Sequence, residues 1–361
     1  MKNTFITEDS GTDIKAEEDA TRQLAVSSLS RRKMIGSSLR AGAALTLGTS
    51  TLGSLYACSE SSDTRTMGKE SETKTSAKVL TQKEGQTDHW FKVSLAQWSL
   101  HRQFLQKKSL TTDFAKLAKE EFNINAIEYV NQFYADTYSQ ALINELKKQS
   151  EDYGVRNVLI MVDQEGNLGA SAAKERKQAI EKHKRWADMA HQLGCHSLRV
   201  NAYGDGDYKE QALQAAEGLN GLSDYCKPLG LSVCVENHGD LSSNGEWLAA
   251  VMQLADNPNV GTLPDFGNFV TNYETKEEFD KYKGVKLLMP YAKGVSAKVF
   301  NFNDKGMEAD IDYDRMFTMI KQVGYSGYIG IEYEGENNGL TEFEGIHKTR
   351  DLLLRMRAKY A

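Results

Sequence analysis

From Trp90 to the C-terminus the chain alternates between two rhythms of apolar and polar positions. One is a short period-two run rich in β-branched and aromatic residues, which predicts a strand. Eight such runs occur: "FKVSLAQWSL", "NAIEYV", "NVLIMVD", "SLRVNAYG", "LSVCVENH", "VGTLPDFG", "GVSAKVF" and "YIGIEYEG". The other rhythm is helical. In "TDFAKLAKEEF" the apolar residues Phe114, Leu117, Ala118 and Phe122 fall near helical spacing. "AAKERKQAIEKHKRWADMAHQLG" closes on Gly194, and "DYDRMFTMIKQVG" runs from an N-capping Asp312 to a stop at Gly324. Eight strands in strict alternation with eight helices predict a single α/β domain, a (β/α)8 TIM barrel over residues 90–361, a length usual for one such barrel. The competing arrangement is a doubly wound open sheet. No Gly-rich phosphate loop follows the first strand, which counts against its dinucleotide-binding form.

The first 89 residues do not share this alternation. "SRRKMIG" sets Arg31 beside Arg32, and the short Ala/Gly/Leu-rich segment that follows ends in "LYAC". A basic pair, an apolar run, a small residue and then a cysteine read as a twin-arginine export signal over residues 1–57, with Cys58 as the lipidated first residue of the mature chain. Residues 58–89 are rich in Ser, Thr, Lys and Glu and read as a flexible tether. The expected location is therefore the periplasmic side or the cell surface, with a lipid anchor as the contact with membrane. A net charge of -6 and scattered basic residues give no nucleic-acid surface. Apart from Cys58, the cysteines are Cys195, Cys226 and Cys234, without C-x-x-C spacing. They read as buried free thiols, with a Cys226–Cys234 bridge as the alternative.

In a barrel of this kind chemistry gathers at the C-terminal ends of the strands. Alternation places Glu236 and His238 on the inward face of the fifth strand, Asp265 and then Asn268 on the sixth, Lys298 and Ser296 on the seventh, and Glu332 and Glu334 on the eighth. Glu128 on the second strand and Arg199 and Asn201 on the fourth face the same way, and His101 follows the first. A lone inward acid would form an ion pair with Lys298 or Arg199. Several converging acids instead repel one another unless a cation sits among them. Their oxygens suit Mg²⁺ or Mn²⁺, and His238 would extend the choice to Zn²⁺, Co²⁺ or Fe²⁺. Glu128 is either an internal ion pair or a substrate contact. His101 either caps the helix after it or contacts substrate. Trp98 either packs in the core or floors a sugar site.

"VENHGD", "LPDFGN" and "GYIGIEYEG" together resemble the xylose-isomerase-like TIM barrels, also called the sugar phosphate isomerase/epimerase family. The resemblance covers residues 90–360. It implies a divalent metal held by Glu236, Asp265 and Glu332, with the two glutamates moving a proton between substrate carbons. Two positions depart from the family pattern. Ser296 stands where a strand-seven histidine is usual, and Asn268 replaces the histidine of Asp-x-x-His. His238 is placed to stand in as a ligand or to act as a base. The expected function is metal-dependent isomerisation or epimerisation of a small carbohydrate. Glu236 and Glu332 would transfer the proton, and Lys298 would stabilise the enediolate. His101, Glu128, Arg199, Asn201, Asn268 and Glu334 would contact substrate. The alternatives are a lyase or hydratase acting on an oxidised sugar through the same enolate, and a non-catalytic carbohydrate-binding lipoprotein.

Cys58→Ala should release soluble protein from the membrane fraction, because stable anchoring depends on the acyl chains. Replacing Arg31 and Arg32 with Lys should block export. Unchanged membrane fractionation of the Cys58 variant would exclude the lipid anchor.

Overall fold

A computed structural model describes residues 89–335 and 339–361. The twin-arginine segment, Cys58 and the polar tether lie outside the described residues. The eight expected strands form: β1 (Lys92–Ala96), β2 (Ala126–Val130), β3 (Arg156–Met161), β4 (Ser197–Val200), β5 (Ser232–Glu236), β6 (Val260–Leu263), β7 (Val295–Val299) and β8 (Tyr328–Tyr333). They make one parallel sheet in the order β6-β5-β4-β3-β2-β1-β8-β7. Its two ends, β7 and β6, meet through single bridges at Thr262–Ala292 and Asp265–Ser296. Across this seam the Lys293 N–H donates to the Thr262 carbonyl at 2.8 Å and the Ser296 N–H to the Pro264 carbonyl at 2.9 Å. Pro264 follows the last residue of β6, where a missing N–H costs no ladder bond. The result is a nearly closed TIM barrel.

Among the described residues eight helices of seven or more residues surround it, besides a short one at His101–Leu105: α1 (Phe114–Glu120), α2 (Gln140–Asp152), α3 (Ala173–Leu193), α4 (Tyr208–Cys226), α5 (Gly245–Ala255), α6 (Lys281–Leu288), α7 (Tyr313–Gln322) and α8 (Glu342–Lys359). Local chemistry sets their ends. Asp312 accepts from the Arg315 N–H to cap α7, and Gly194 ends α3 in the left-handed region at φ 74°. The acidic "GDGDYKE" is a turn into α4, capped by Asp207. Thr341 and Glu344 form a reciprocal capping box on α8.

Strand alternation separates two apolar regions. Val233 and Val235 of β5, Ile329, Ile331 and Tyr333 of β8, and the apolar face of β7 pack outward against the helices. Ala96, Val130, Leu159, Met161, Cys234 and Leu263 fill the barrel interior. Between β2 and β3 the register slips, pairing Ile127 with Asn157 but Glu128 with Leu159, so Val158 is an extra residue in β3. Cys195, Cys226 and Cys234 are buried and free, as the buried-thiol reading expects, and the Cys226–Cys234 bridge does not form.

The position of β8 depends on close approach by α8. An alanine Cβ at Gly345 would stand 2.1 Å from the ring of Tyr333, which is fully buried. Gly345→Ala should therefore destabilise the fold by about 1–3 kcal/mol, the usual range for overpacking. Chemical denaturation measures this, and unchanged stability would show that α8 can retreat freely.

Candidate functional site

The inward face of each strand becomes polar towards its C-terminal end, and this gradient builds the site. One carboxylate oxygen each from Glu236, Asp265 and Glu332 lie within 4.8 Å of one another. These acids are almost wholly inaccessible, at 1%, 0% and 5% exposure. The Arg199 Nε donates to Glu236 Oε2 at 2.5 Å, and Asn268 Nδ2 donates to Glu236 Oε1 at 2.9 Å. The N–H groups of Gly267 and Asn268 both donate to Asp265 Oδ1 at 2.8 Å. Lys298 Nζ stands 3.5 Å from Glu332 and 3.1 Å from Glu334.

Ser296 carries the contact that bears most directly on a cation. Its Oγ lies 2.6 Å from both Asp265 Oδ2 and Glu332 Oε2. A hydroxyl has one hydrogen and can donate to only one of them. The second short contact needs a proton on a carboxyl, or a cation in the cluster. Three convergent carboxylates of hard oxygen fit a divalent metal on this ground.

Above the acids lies a cavity of about 340 Å³, in the range of small-molecule sites. Arg199, Asn201, His238, Glu332 and Glu334 line it, as does Trp98. Asp163 and Tyr203 also line it, and neither is marked by strand alternation, because they follow β3 and β4. Asp163 Oδ1 accepts from Arg199 Nη1 at 2.8 Å and from Asn201 Nδ2 at 2.6 Å. The one signal for Asp163 in the sequence is its place at the end of "NVLIMVD".

Four residues sit differently from expectation. Glu128 lies in the middle of β2, deep in the barrel, where Ser94 Oγ donates to it at 2.5 Å. It does not line the cavity. His101 stacks on Trp98 at 4.9 Å, with its Nδ1 2.7 Å from the Trp98 carbonyl, and faces Glu342 at 3.5 Å. It supports a cavity wall instead of reaching the cavity. Asn268 contacts Glu236, not the cavity. His238 is outside the carboxylate cluster, and its Nδ1 lies 2.9 Å from Tyr203 Oη.

The profile of the family described as "Xylose isomerase-like TIM barrel" matches residues 115–358. The chain belongs to that family. Solved structures of the same fold include a sugar phosphate isomerase/epimerase from Parabacteroides distasonis ATCC 8503. It is 18% identical, with a TM-score of 0.58, over 77% of this chain and 96% of that one. A xylose isomerase-like TIM barrel protein from Mycobacterium smegmatis in complex with magnesium is 15% identical, with a TM-score of 0.58, over 75% and 97%. The "probable 3-DHS dehydratase AsbF" of Bacillus anthracis is 16% identical, with a TM-score of 0.52, over 73% and 99%. No curated protein matches the sequence significantly.

Burial, opposed by the neighbouring cations Arg199 and Lys298, dominates the ionisation of the acids in this xylose isomerase-like site. Burial pushes Glu236 up and Arg199 draws it back, leaving it at about 7. Burial raises Asp265 well above the carboxylate range despite Lys298. For Glu332 burial acts upward, but Lys298, the Ser296 hydroxyl, Arg199 and His238 outweigh it and the net shift is down. Burial, reinforced by Arg199, lowers His238 to about 4, so the imidazole is neutral at pH 7.

Glu128 is raised to about 8, chiefly by burial. The folded state then holds a proton that the unfolded state releases near the ordinary value of 4.5. Between these values the unfolded chain binds fewer protons, so stability falls as pH rises. Thermal melting in chelator should therefore show wild type losing stability from about pH 5 to about pH 8 and Glu128→Gln losing less. Parallel pH profiles for the two would show that Glu128 is ionised in the folded protein.

Proposed function

We propose that this barrel is a divalent-metal-dependent isomerase or epimerase of a sugar or polyol, acting by proton transfer next to a carbonyl. The observation that carries the reading is the buried triad Glu236, Asp265 and Glu332 directly beneath a polar cavity at the C-terminal mouth of the barrel. Those three residues would hold the metal, which when bound supplies a Lewis acid for a carbonyl or hydroxyl oxygen. Glu332 touches both the triad and the cavity, and its net downward shift makes it a carboxylate ready to accept a proton. Lys298 sits beside Glu332, where its fixed positive charge stabilises an oxygen that becomes an enediolate. Asn201 and Glu334 on the cavity wall offer hydrogen bonds to hydroxyl groups. The magnesium complex and the isomerase/epimerase among the structural relatives support this assignment.

A second reading keeps the same enolate but expels a leaving group from an oxidised sugar. The dehydratase of the same fold supports it. An export leader with Cys58 lipidated would place either activity outside the cytoplasm and favour free sugars over sugar phosphates.

A screen for C–H exchange in heavy water, over free, oxidised and phosphorylated sugars, needs no guess about the product. Glu332→Gln should lower exchange by about 10²–10⁴-fold, the usual worth of general acid–base catalysis, and weaken metal binding. Wild-type protein that binds no divalent metal, with a variant that binds sugars equally well, would exclude the enzyme and leave a carbohydrate-binding protein.

A further inference from the structure

Tyr203, on the loop after β4, makes two contacts through one oxygen. Its Oη lies 2.5 Å from the main-chain carbonyl of His238 and 2.9 Å from the Nδ1 of the same residue. A carbonyl can only accept, so the single phenolic hydrogen goes to it. The Nδ1 contact is then a hydrogen bond only if Nδ1 carries a hydrogen and Tyr203 Oη accepts it. A neutral imidazole has one N–H, so Nε2 is left with its lone pair. No described residue bonds to Nε2, and His238 lines the cavity. The backbone beneath is held as well, with the His238 N–H donating to Ser242 Oγ at 3.1 Å.

We propose that Tyr203 locks His238 in its Nδ1–H tautomer, so that His238 Nε2 is the second proton-transfer atom of the cavity, working with Glu332. The positions of the acids support the pairing. Glu236 has both oxygens occupied, by Arg199 and by Asn268, and does not line the cavity. Glu332 and His238 both line it, on β8 and just past β5, three strands apart around the barrel. In the step, the Nε2 lone pair takes the proton from the carbon beside the carbonyl. The C–H electron pair becomes the new C=C bond, and the carbonyl oxygen takes the negative charge. Glu332, a carboxylate at rest, takes a proton from solvent and passes it to carbon, and the enolate electrons form the new C–H bond. The imidazolium gives its proton back to solvent, and Glu332 is again a carboxylate. Tyr203 is the positioning residue, since it acts through the ring.

The proton-transfer half rests on the function proposed above, and the tautomer half does not. Long-range ¹H–¹⁵N NMR of metal-free protein labelled at histidine reads the tautomer directly, with His238→Gln identifying the signals. Wild type should show Nδ1 protonated and Nε2 as the acceptor, and Tyr203→Phe should move the ring towards Nε2–H. In the exchange assay Tyr203→Phe should lose roughly 10–100-fold in kcat, the usual effect of removing such a support, with KM little changed and metal affinity unchanged. An Nε2–H ring in wild type, or a tautomer unmoved in Tyr203→Phe, overturns the lock. A shifted tautomer with unchanged kcat, or lost metal in His238→Gln, overturns the proton-transfer role. If wild type exchanges no substrate proton, the function proposed above fails, while the NMR result still decides the lock.

Discussion

Negative charge buried at the mouth of the barrel is the constraint to which the other features answer. Glu236, Asp265 and Glu332 converge within a few ångströms, with Asp163 and Glu334 on the rim. Two side-chain cations, Arg199 and Lys298, face these five acids. At short range in a poorly solvated interior, like charges repel by several kcal/mol, and opposite charges attract as strongly. Each cation is therefore shared. Arg199 bridges Glu236 and Asp163, and Lys298 bridges Glu332 and Glu334. Each is itself nearly inaccessible, at 3% and 2% exposure. Both already bond protein carboxylates. The deficit that remains is what a divalent cation would fill.

The strands and their inward residues were legible because both follow one rule. A period-two run fixes which face of the sheet a residue takes, so Glu236, Lys298 and Glu332 could be placed from sequence, and the separation of Val233 and Val235 from Cys234 bears this out. Depth along the barrel axis does not follow from alternation. Alternation gives Glu128 its inward face but not its depth, and it lies mid-strand, two residues before Val130 closes β2. The loops were less legible still. His101 turns away from the cavity because the chain enters a helical turn directly after Leu100, and Glu342, from the far end of the sequence, accepts the N–H groups of Arg102 and Gln103 there. Asp163 and Tyr203 follow their strands into irregular backbone, where no periodicity says which way a side chain points.

The family's usual strand-seven histidine is a serine here, and the exchange has a chemical consequence. An imidazole offers nitrogen to a metal, whereas Ser296 offers a hydroxyl that already spans two carboxylates. The clustered donors that remain, from Glu236, Asp265 and Glu332, are all oxygen. Such a set suits hard cations that favour carboxylates over softer ones that favour imidazole or thiolate. Retaining the lysine two residues later, on the same face of β7, keeps a fixed charge next to Glu332.

The stretch "ENHG" after β5 works as one unit. Glu236 ends the strand within the acid cluster. Asn237 then clasps the neighbouring strand end. Its Nδ2 donates to the Asp265 carbonyl at 3.0 Å, and its Oδ1 accepts from the Asp265 N–H at 2.8 Å. The two ends that supply two of the three clustered acids are thus tied to each other through backbone, independently of any ion. His238 follows on the cavity side, and Gly239 takes φ 79° and ψ 161°, a region open essentially to glycine alone. Tyr203 and Tyr273 hydroxyls would lie 3.6 and 3.5 Å from any Cβ at that position. The turn also needs Asp240 at φ 49°, and Ser243 Oγ holds the Gly239 N–H at 2.8 Å. Strain in this segment is therefore confined to the two residues after His238. Glu236 before them ends the regular strand that fixes the acids, and the imidazole stands on the irregular loop just past it.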